Sequence, residues 1–364
     1  MVVRDSPRST QREYPSGAKC RRRDPGIATD RPGTIRASAD LMECPVHALV
    51  FHEFGSADVL KHEQMPDPVP GPAQALVRMR AIGLNFADIY RRKGNYHLAG
   101  TPPWILGYEG AGEVVSAPEG SGLRVGQRIG FADSPFSNAE LCAVDVDKLI
   151  PLPGDIAFET AAASLLQGLT AQYLCRDSYR VRAGDWAVVH AAAGGVGLLL
   201  TQMLRQLGAR VVAIASTEDK RQAAREAGAE HVVPTNDWVQ AVRSATGGRG
   251  ADVVYDSVGT TLRDSLDAAR VGGTVVFYGM AAGDPAPVDP RLLMDRSLAL
   301  VGGDLWNVLT SAGERRARAA ELFGWIASGV VKVRIARTHA LRDGAAAHRE
   351  LEGRGVIGKI VLRP

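Results

Sequence analysis

Residues 188–197, the run Val188, Val189, His190, Ala191, Ala192, Ala193, Gly194, Gly195, Val196, Gly197, do most to narrow what this chain can fold into. A short apolar run, residues 186–191, reads as a buried strand, because Gly184 and Asp185 bound it before and glycines after. Residues 198–207 then have helical length and composition. Strand, glycine turn and helix is the context that a dinucleotide fingerprint requires. In such a unit one glycine allows the tight turn, one lets backbone approach a pyrophosphate, and one lets helix and strand pack closely. The anion would sit on the helix N-terminus, where unpaired N–H groups point outward. Here the pattern is A-x-x-G-x-x-G, on Ala191, Gly194 and Gly197, with Gly195 and Val196 inside it. Taken alone, it equally describes an Ala/Gly-rich helix packed on a sheet.

Residues 209–220 decide between the two. The segment 209–216 forms a second apolar strand, and a ribose-reading residue belongs about 20 residues beyond the fingerprint. Ser216 falls there, with Lys220 one helical turn later. A neutral hydroxyl and a cation suit a 2′-phosphate, and so NADP, where an acid would suit the free hydroxyl of NAD. Glu218 and Asp219 read as first-turn charges facing water. Strand and helix then alternate, with helices at 217–227, 236–245 and 262–269 and six strands between 186 and 302. That is one doubly wound α/β domain with a parallel sheet. Its ligands bind beyond the strand ends, which adds Gly259, Tyr278 and Gly279 to the candidates.

The flanking segments differ. Residues 46–144 hold many short strands with glycine turns, the pattern of a small β-rich barrel-like domain. Pro66, Pro68, Pro70 and Pro72 mark an extended connection, and residues 158–175 read as a helix leading into the fingerprint. The segment 311–364 reads as helix, strand, helix, strand, returning to the first domain. The expected division is a tail at 1–43, a β-rich domain at 44–166 and 304–364, and a dinucleotide-binding domain at 167–303.

Residues 1–42 carry nine Lys/Arg against five Asp/Glu, so a chain of net charge +3 is nearly neutral beyond them. The basic balance therefore gives no support to nucleic-acid binding, and the tail is expected to be disordered and dispensable. It lacks the apolar core of a secretory signal, and Asp5 and Glu13 argue against a transit peptide. Met42 offers an alternative start, which would make the preceding residues a translation artefact. Cys20, Cys44, Cys142 and Cys175 show no paired spacing and read as reduced thiols of a cytoplasmic protein. No apolar run is long enough to span a bilayer. Metal is not expected either. A catalytic zinc needs three converging Cys, His or carboxylate ligands, and the segments 83–90 and 107–109 offer Asn85, Asp88, Tyr108 and Glu109.

Four segments together carry a resemblance: residues 83–90 (GLNFADIY), 167–174 (QGLTAQYL), 190–197 (HAAAGGVG) and 253–259 (VVYDSVG). In this order they resemble the zinc-free quinone oxidoreductases of the medium-chain dehydrogenase/reductase superfamily, over residues 46–364. The resemblance implies a Rossmann domain inserted into a GroES-like catalytic domain, NADPH as cofactor, and a homodimer. It also implies roles. Asn85 and Tyr90 would lie near nicotinamide and substrate, as the catalytic candidates. Thr170 would touch the cofactor, and Ser216, Lys220 and Arg354 would hold its 2′-phosphate. This chain departs from the family at Thr235, where a tyrosine often stacks near that phosphate, and at Gln167, where a lysine is frequent.

Plainer readings stand beside these. Asn85 can satisfy backbone groups at a helix start, Tyr90 can be a packing tyrosine, and Arg354 a solvated helix-end residue. His190, inside a strand, reads as a core histidine. The expected function is hydride transfer from NADPH to a quinone, whose conjugated carbonyls need no Lewis acid. Reduction of an activated C=C bond, of the enone or haloacrylate type, is the alternative, and a non-catalytic NADPH-binding protein the alternative of another class.

Overall fold

Short β-branched runs between residues 186 and 302 pair into a six-stranded parallel sheet. Its order is His231–Val233, Arg210–Ile214, Trp186–Val189, Ala251–Asp256, Ala269–Phe277, Ala299–Gly302. The central strand Trp186–Val189 is buried at every position, as a strand covered by helices on both faces must be. Val188 lies opposite Val212 on one side and Val254 on the other. The order reverses between Trp186–Val189 and Ala251–Asp256, and beyond the carboxyl ends of these strands a crevice opens. The structure is a computed structural model and describes residues 46–364, so the expected basic tail and its dispensability lie outside the described residues.

A second, seven-stranded sheet is built on the long strand Gln74–Leu84, whose alternating burial follows the two-residue period of a half-covered strand. Glu109–Ser116 and Leu141–Asp145 pair with it antiparallel. The C-terminal strand Lys359–Arg363 also pairs with it antiparallel, with Ile360 opposite Leu84. The end of the chain thus joins this seven-stranded sheet. The helix Phe158–Tyr173 packs between the two sheets. One core runs through the junction: Ala81 and Ala111 of the seven-stranded sheet, Leu165 and Leu169 of the helix, Leu200 and Met203 behind the glycine turn, and Val253 of the parallel sheet.

Local boundaries differ from the sequence reading. The fingerprint strand ends at Val189, and the helix begins at Gly195, within the glycine run. Ala191, expected as the last strand residue, has φ 46 and starts the turn. The helix after residue 158 ends at Tyr173 and passes into a π turn, Leu174–Ser178. The strand Lys61–Met65, which pairs with Val46–Phe51, was not legible because its side chains are mostly exposed and polar.

Candidate functional site

The fingerprint glycines are placed by close contacts. A Cβ on Gly197 would lie 2.4 Å from the Ala191 carbonyl oxygen, so only glycine lets this helix approach its strand so closely. The bare N-terminus of the helix Gly195–Gln206, capped by no side chain, opens into a cleft of about 450 Å³. Ala191, Gly194, Gly195, Val196 and Gly197 line this cleft. Gly358 N–H donates to the Ala193 carbonyl (3.0 Å), tying the turn to the seven-stranded sheet.

Ser216, Lys220 and Arg354 line the same cleft. Thr217 caps the helix Glu218–Glu226, and Lys220 reaches back from its first turn: Nζ donates to Ser216 Oγ (3.4 Å) and to the Arg354 carbonyl. Burial, then the nearby Arg354 charge, lowers the Lys220 pKa. Among the described residues neither cation has a carboxylate partner here, whereas Glu218 is taken by Arg221 and Arg225. Arg354 adopts φ 56, unusual for a residue with a side chain, and its guanidinium makes no hydrogen bond to a described residue. Thr235 lies on the same wall.

A second group surrounds Asn85. It opens the helix Phe86–Arg92, where the Asp88 carboxylate takes its backbone N–H, and its side-chain amide reaches partners outside that helix. Nδ2 donates to Glu109 Oε2 (2.9 Å) and to the Gly83 carbonyl (3.2 Å), while Oδ1 accepts from Lys359 Nζ (2.7 Å) and Gln167 Nε2 (3.2 Å). Lys359 Nζ also pairs with Glu109 Oε2 at 2.6 Å. Both charged groups are buried, and burial lowers the Lys359 pKa against the attraction of Glu109. Asp88 accepts from Asn85 N–H (2.9 Å) and pairs with Arg91 (3.2 Å), and burial nonetheless raises its pKa. This network holds the Asn85 side chain from four sides at the cleft wall.

Tyr90 is half-buried, and its hydroxyl accepts from Met280 N–H (3.1 Å) across the junction. Burial raises its pKa to about 12, so it keeps its proton at neutral pH. Thr170 lines the cleft with its hydroxyl turned back to the Leu166 carbonyl (2.7 Å), and Tyr278 lines it from the parallel sheet. Gly259 does not line it. Its φ of +89 closes the loop after Ala251–Asp256, where a Cβ would meet the Gly283 carbonyl oxygen at 2.1 Å. Ser257, Val258 and Thr261 line the cleft in its place. His190 touches the cleft but is a buried neutral residue, with Nε2 3.1 Å from Ser265 Oγ, which itself donates to Asp256.

Comparisons with known proteins agree with this arrangement. The family model described as alcohol dehydrogenase GroES-like domain matches residues 71–183, and the one described as zinc-binding dehydrogenase matches residues 195–324. A 2-haloacrylate reductase of Burkholderia sp is 38% identical, over 88% of this chain and 99% of its own. A quinone oxidoreductase of Pseudomonas aeruginosa is 38% identical, over 86% and 98%. The chain belongs to the quinone oxidoreductases of the medium-chain dehydrogenase/reductase superfamily. The structure of the Escherichia coli quinone oxidoreductase complexed with NADPH superimposes with TM-score 0.84 at 36% identity, over 87% of this chain and all of that one.

For a medium-chain reductase matched by a model named for zinc, the donor set matters. Around Asn85 the chain offers an amide and a carboxylate already paired with an ammonium group. Tyr108, the other candidate, accepts from Ala99 N–H and stacks on Arg91. A cation is thus already built into the place, as Lys359, and these residues do not fit a zinc ion. Among the described residues no cluster of three or more His, Cys, Asp or Glu could hold a metal ion.

Sequence reasoning missed Lys359, Tyr96, Asp304 and Trp306, and weighed Glu109 only as a metal ligand and not as the partner of Lys359. A lone lysine beside the apolar run 360–362 was the available signal for the first, since such a cation must find a buried partner. The others carried none, because their neighbours come from distant segments.

Proposed function

We propose that this chain is an NADPH-dependent reductase that delivers hydride to a quinone without zinc. One observation carries the reading: a single cleft joins two carboxylate-free cations, the bare helix N-terminus and the Asn85–Tyr90 wall. When bound, the nicotinamide supplies the hydride. Ser216, Lys220 and Arg354 would hold the 2′-phosphate, and the turn from Gly194 to Gly197 the pyrophosphate. Thr170, Tyr278 and the fixed Asn85 amide would position the ring. Tyr90 accepts rather than donates in its bond to Met280, so its own proton is free for the reduced acceptor.

Steady-state oxidation of NADPH with 1,4-benzoquinone, compared with NADH, tests this. The expected result is turnover that favours NADPH, and absence of turnover with every quinone tried would overturn it. The protonated Tyr90 also favours a second reading, reduction of an activated C=C bond. There the carbanion formed needs a proton more than a hydroquinone anion does. Turnover of enones or 2-haloacrylate above that of quinones would establish it. Binding of NADPH without turnover on either acceptor would point to a non-catalytic protein.

The same reading includes a cytoplasmic homodimer, domain limits near residues 166 and 304, and no nucleic-acid partner. The edge strand Ala299–Gly302, with one side unpaired among the described residues, and the exposed Met294 nearby support self-association. No helix among the described residues is long and apolar enough to cross a membrane.

A further inference from the structure

Beside the main cleft lies a second chamber of about 550 Å³. The two share Tyr90, Tyr96, Tyr173, Tyr278 and Asp304 as walls, and neither Ser216, Lys220 nor Arg354 lines the second. It therefore sits away from the phosphate-binding group, where an acceptor would enter. Its walls are aromatic. Tyr96 packs edge-on to Tyr90 (6.3 Å between centroids), and Tyr173, Phe277 and Tyr278 add further rings. No Lys, Arg or His among the described residues lines it.

Charge at this end is unbalanced in one place. Asp88 has Arg91 at 3.2 Å, Asp133 has Arg315 at 2.9 Å, and Asp177 has Arg318 at 2.7 Å. Arg91 is buried, spent on Asp88 and the His97 carbonyl, and covered by the Tyr108 ring at 3.6 Å. Among the described residues, Asp304 alone faces the chamber without a cation in contact. Its two carboxylate oxygens accept there only from the Tyr96 hydroxyl (2.7 Å) and the Trp306 N–H (3.2 Å). These neutral donors fix the carboxylate in position without cancelling its charge.

Building on the reductase reading, we propose that the chamber is the acceptor subsite and that Asp304 makes it selective for flat, uncharged acceptors over anionic ones. The tyrosine and phenylalanine rings of its walls favour a planar conjugated ring. An acceptor carrying a carboxylate or sulfonate would meet a fixed like charge in a partly water-excluded space, and such juxtaposition is strongly unfavourable. The selectivity is built as repulsion of the wrong ligand. It separates this chain's preference from that expected of an enzyme whose substrate is a halogenated acid.

The test compares 1,4-naphthoquinone with 1,4-naphthoquinone-2-sulfonate, with NADPH as donor. The sulfonate is the more electron-poor ring, so discrimination against it opposes intrinsic reactivity. The wild type should show kcat/KM for the neutral quinone about tenfold or more above that for the sulfonate, one decade for each 1.4 kcal/mol of discrimination. In Asp304→Asn, whose amide oxygen can keep the Trp306 backbone N–H while its Nδ2 donates to the Tyr96 hydroxyl oxygen, that ratio should collapse by about the same factor. Asp304→Glu, which keeps the charge, should keep the ratio. The ratio is the readout, whatever happens to either constant alone. A ratio unchanged in Asp304→Asn, or a wild type that prefers the sulfonate, would overturn the proposal. Equilibrium binding of both quinones by calorimetry separates the two claims. Charge-dependent binding without turnover would sink the reductase reading and keep the subsite, whereas turnover without charge preference would do the reverse.

Discussion

Lys220 shows how much one side chain can carry when its neighbours leave it unpaired. Its ammonium lies against Ser216 and the Arg354 carbonyl with a lowered pKa, the condition of a cation awaiting an anion. A charge-assisted hydrogen bond to a phosphate is worth roughly 1.5–3 kcal/mol, and 1.4 kcal/mol is about one decade. Lys220→Ala should therefore raise the Michaelis constant for NADPH about tenfold or more and barely move that for NADH. Ser216→Asp should do more, placing a carboxylate against the phosphate while offering an acceptor to the free ribose hydroxyl. Steady-state kinetics with both cofactors decide the matter. Equal losses with NADH and NADPH in Lys220→Ala would remove the phosphate assignment. Ser216 and Lys220 were legible from spacing and residue type alone. Lys359 was not, because its partners Asn85 and Glu109 lie 274 and 250 residues away.

At the scale of elements, the glycine turn has two kinds of close approach that the sequence pattern does not tell apart. At Gly197 the obstructing atom is the Ala191 carbonyl oxygen at 2.4 Å, backbone that cannot yield without moving helix from strand. At Gly195 it is the end of the Gln167 side chain, 1.8 Å from the added Cβ, which can swing away. Gly197→Ala should lower stability by about 1–3 kcal/mol, the usual cost of overpacking a core. Gly195→Ala should lower stability less but displace Gln167 from Asn85, and so reduce turnover more than it reduces melting temperature. Thermal unfolding and kinetics on both variants test the contrast. Equal melting temperatures in the two would show that the helix tolerates a Cβ at Gly197.

Across the whole molecule, the C-terminal segment is locked onto the helix Phe86–Arg92 by a buried group that acid should disrupt. His348 of the helix Gly344–Glu352 accepts from Arg92 Nη1 through Nδ1 (3.2 Å), and Arg92 also pairs with Glu352 at 2.6 Å. Burial, then the Arg92 charge, lowers the His348 pKa from the ordinary 6.5 to about 3. A depressed histidine contributes stability that is complete above the unfolded value and lost as pH falls from about 6.5 toward about 3. In that window the unfolded chain binds the proton first, at roughly 1.4 kcal/mol per pH unit for one group. Denaturant unfolding at pH 7, 5.5 and 4 should show His348→Gln with a correspondingly shallower acid loss than the wild type, and parallel slopes would refute the assignment. The amino-acid sequence by itself determined the doubly wound sheet, the fingerprint turn and the meeting of Ser216 with Lys220 at the cleft. These depend on local periodicity and on spacings of about 20 residues, within which the chain's own geometry fixes what meets what. Only the tertiary structure decided that Lys359 stands against Glu109 beside Asn85, that Gly259 serves its loop and not the cleft, and that Asp304 stands among tyrosines with no cation in contact among the described residues. Those juxtapositions come from segments far apart in the chain, brought together when Gln74–Leu84 and Lys359–Arg363 pair and one core closes over both sheets. No local pattern encodes such a meeting, because burial and charge balance are set by which surfaces pack together.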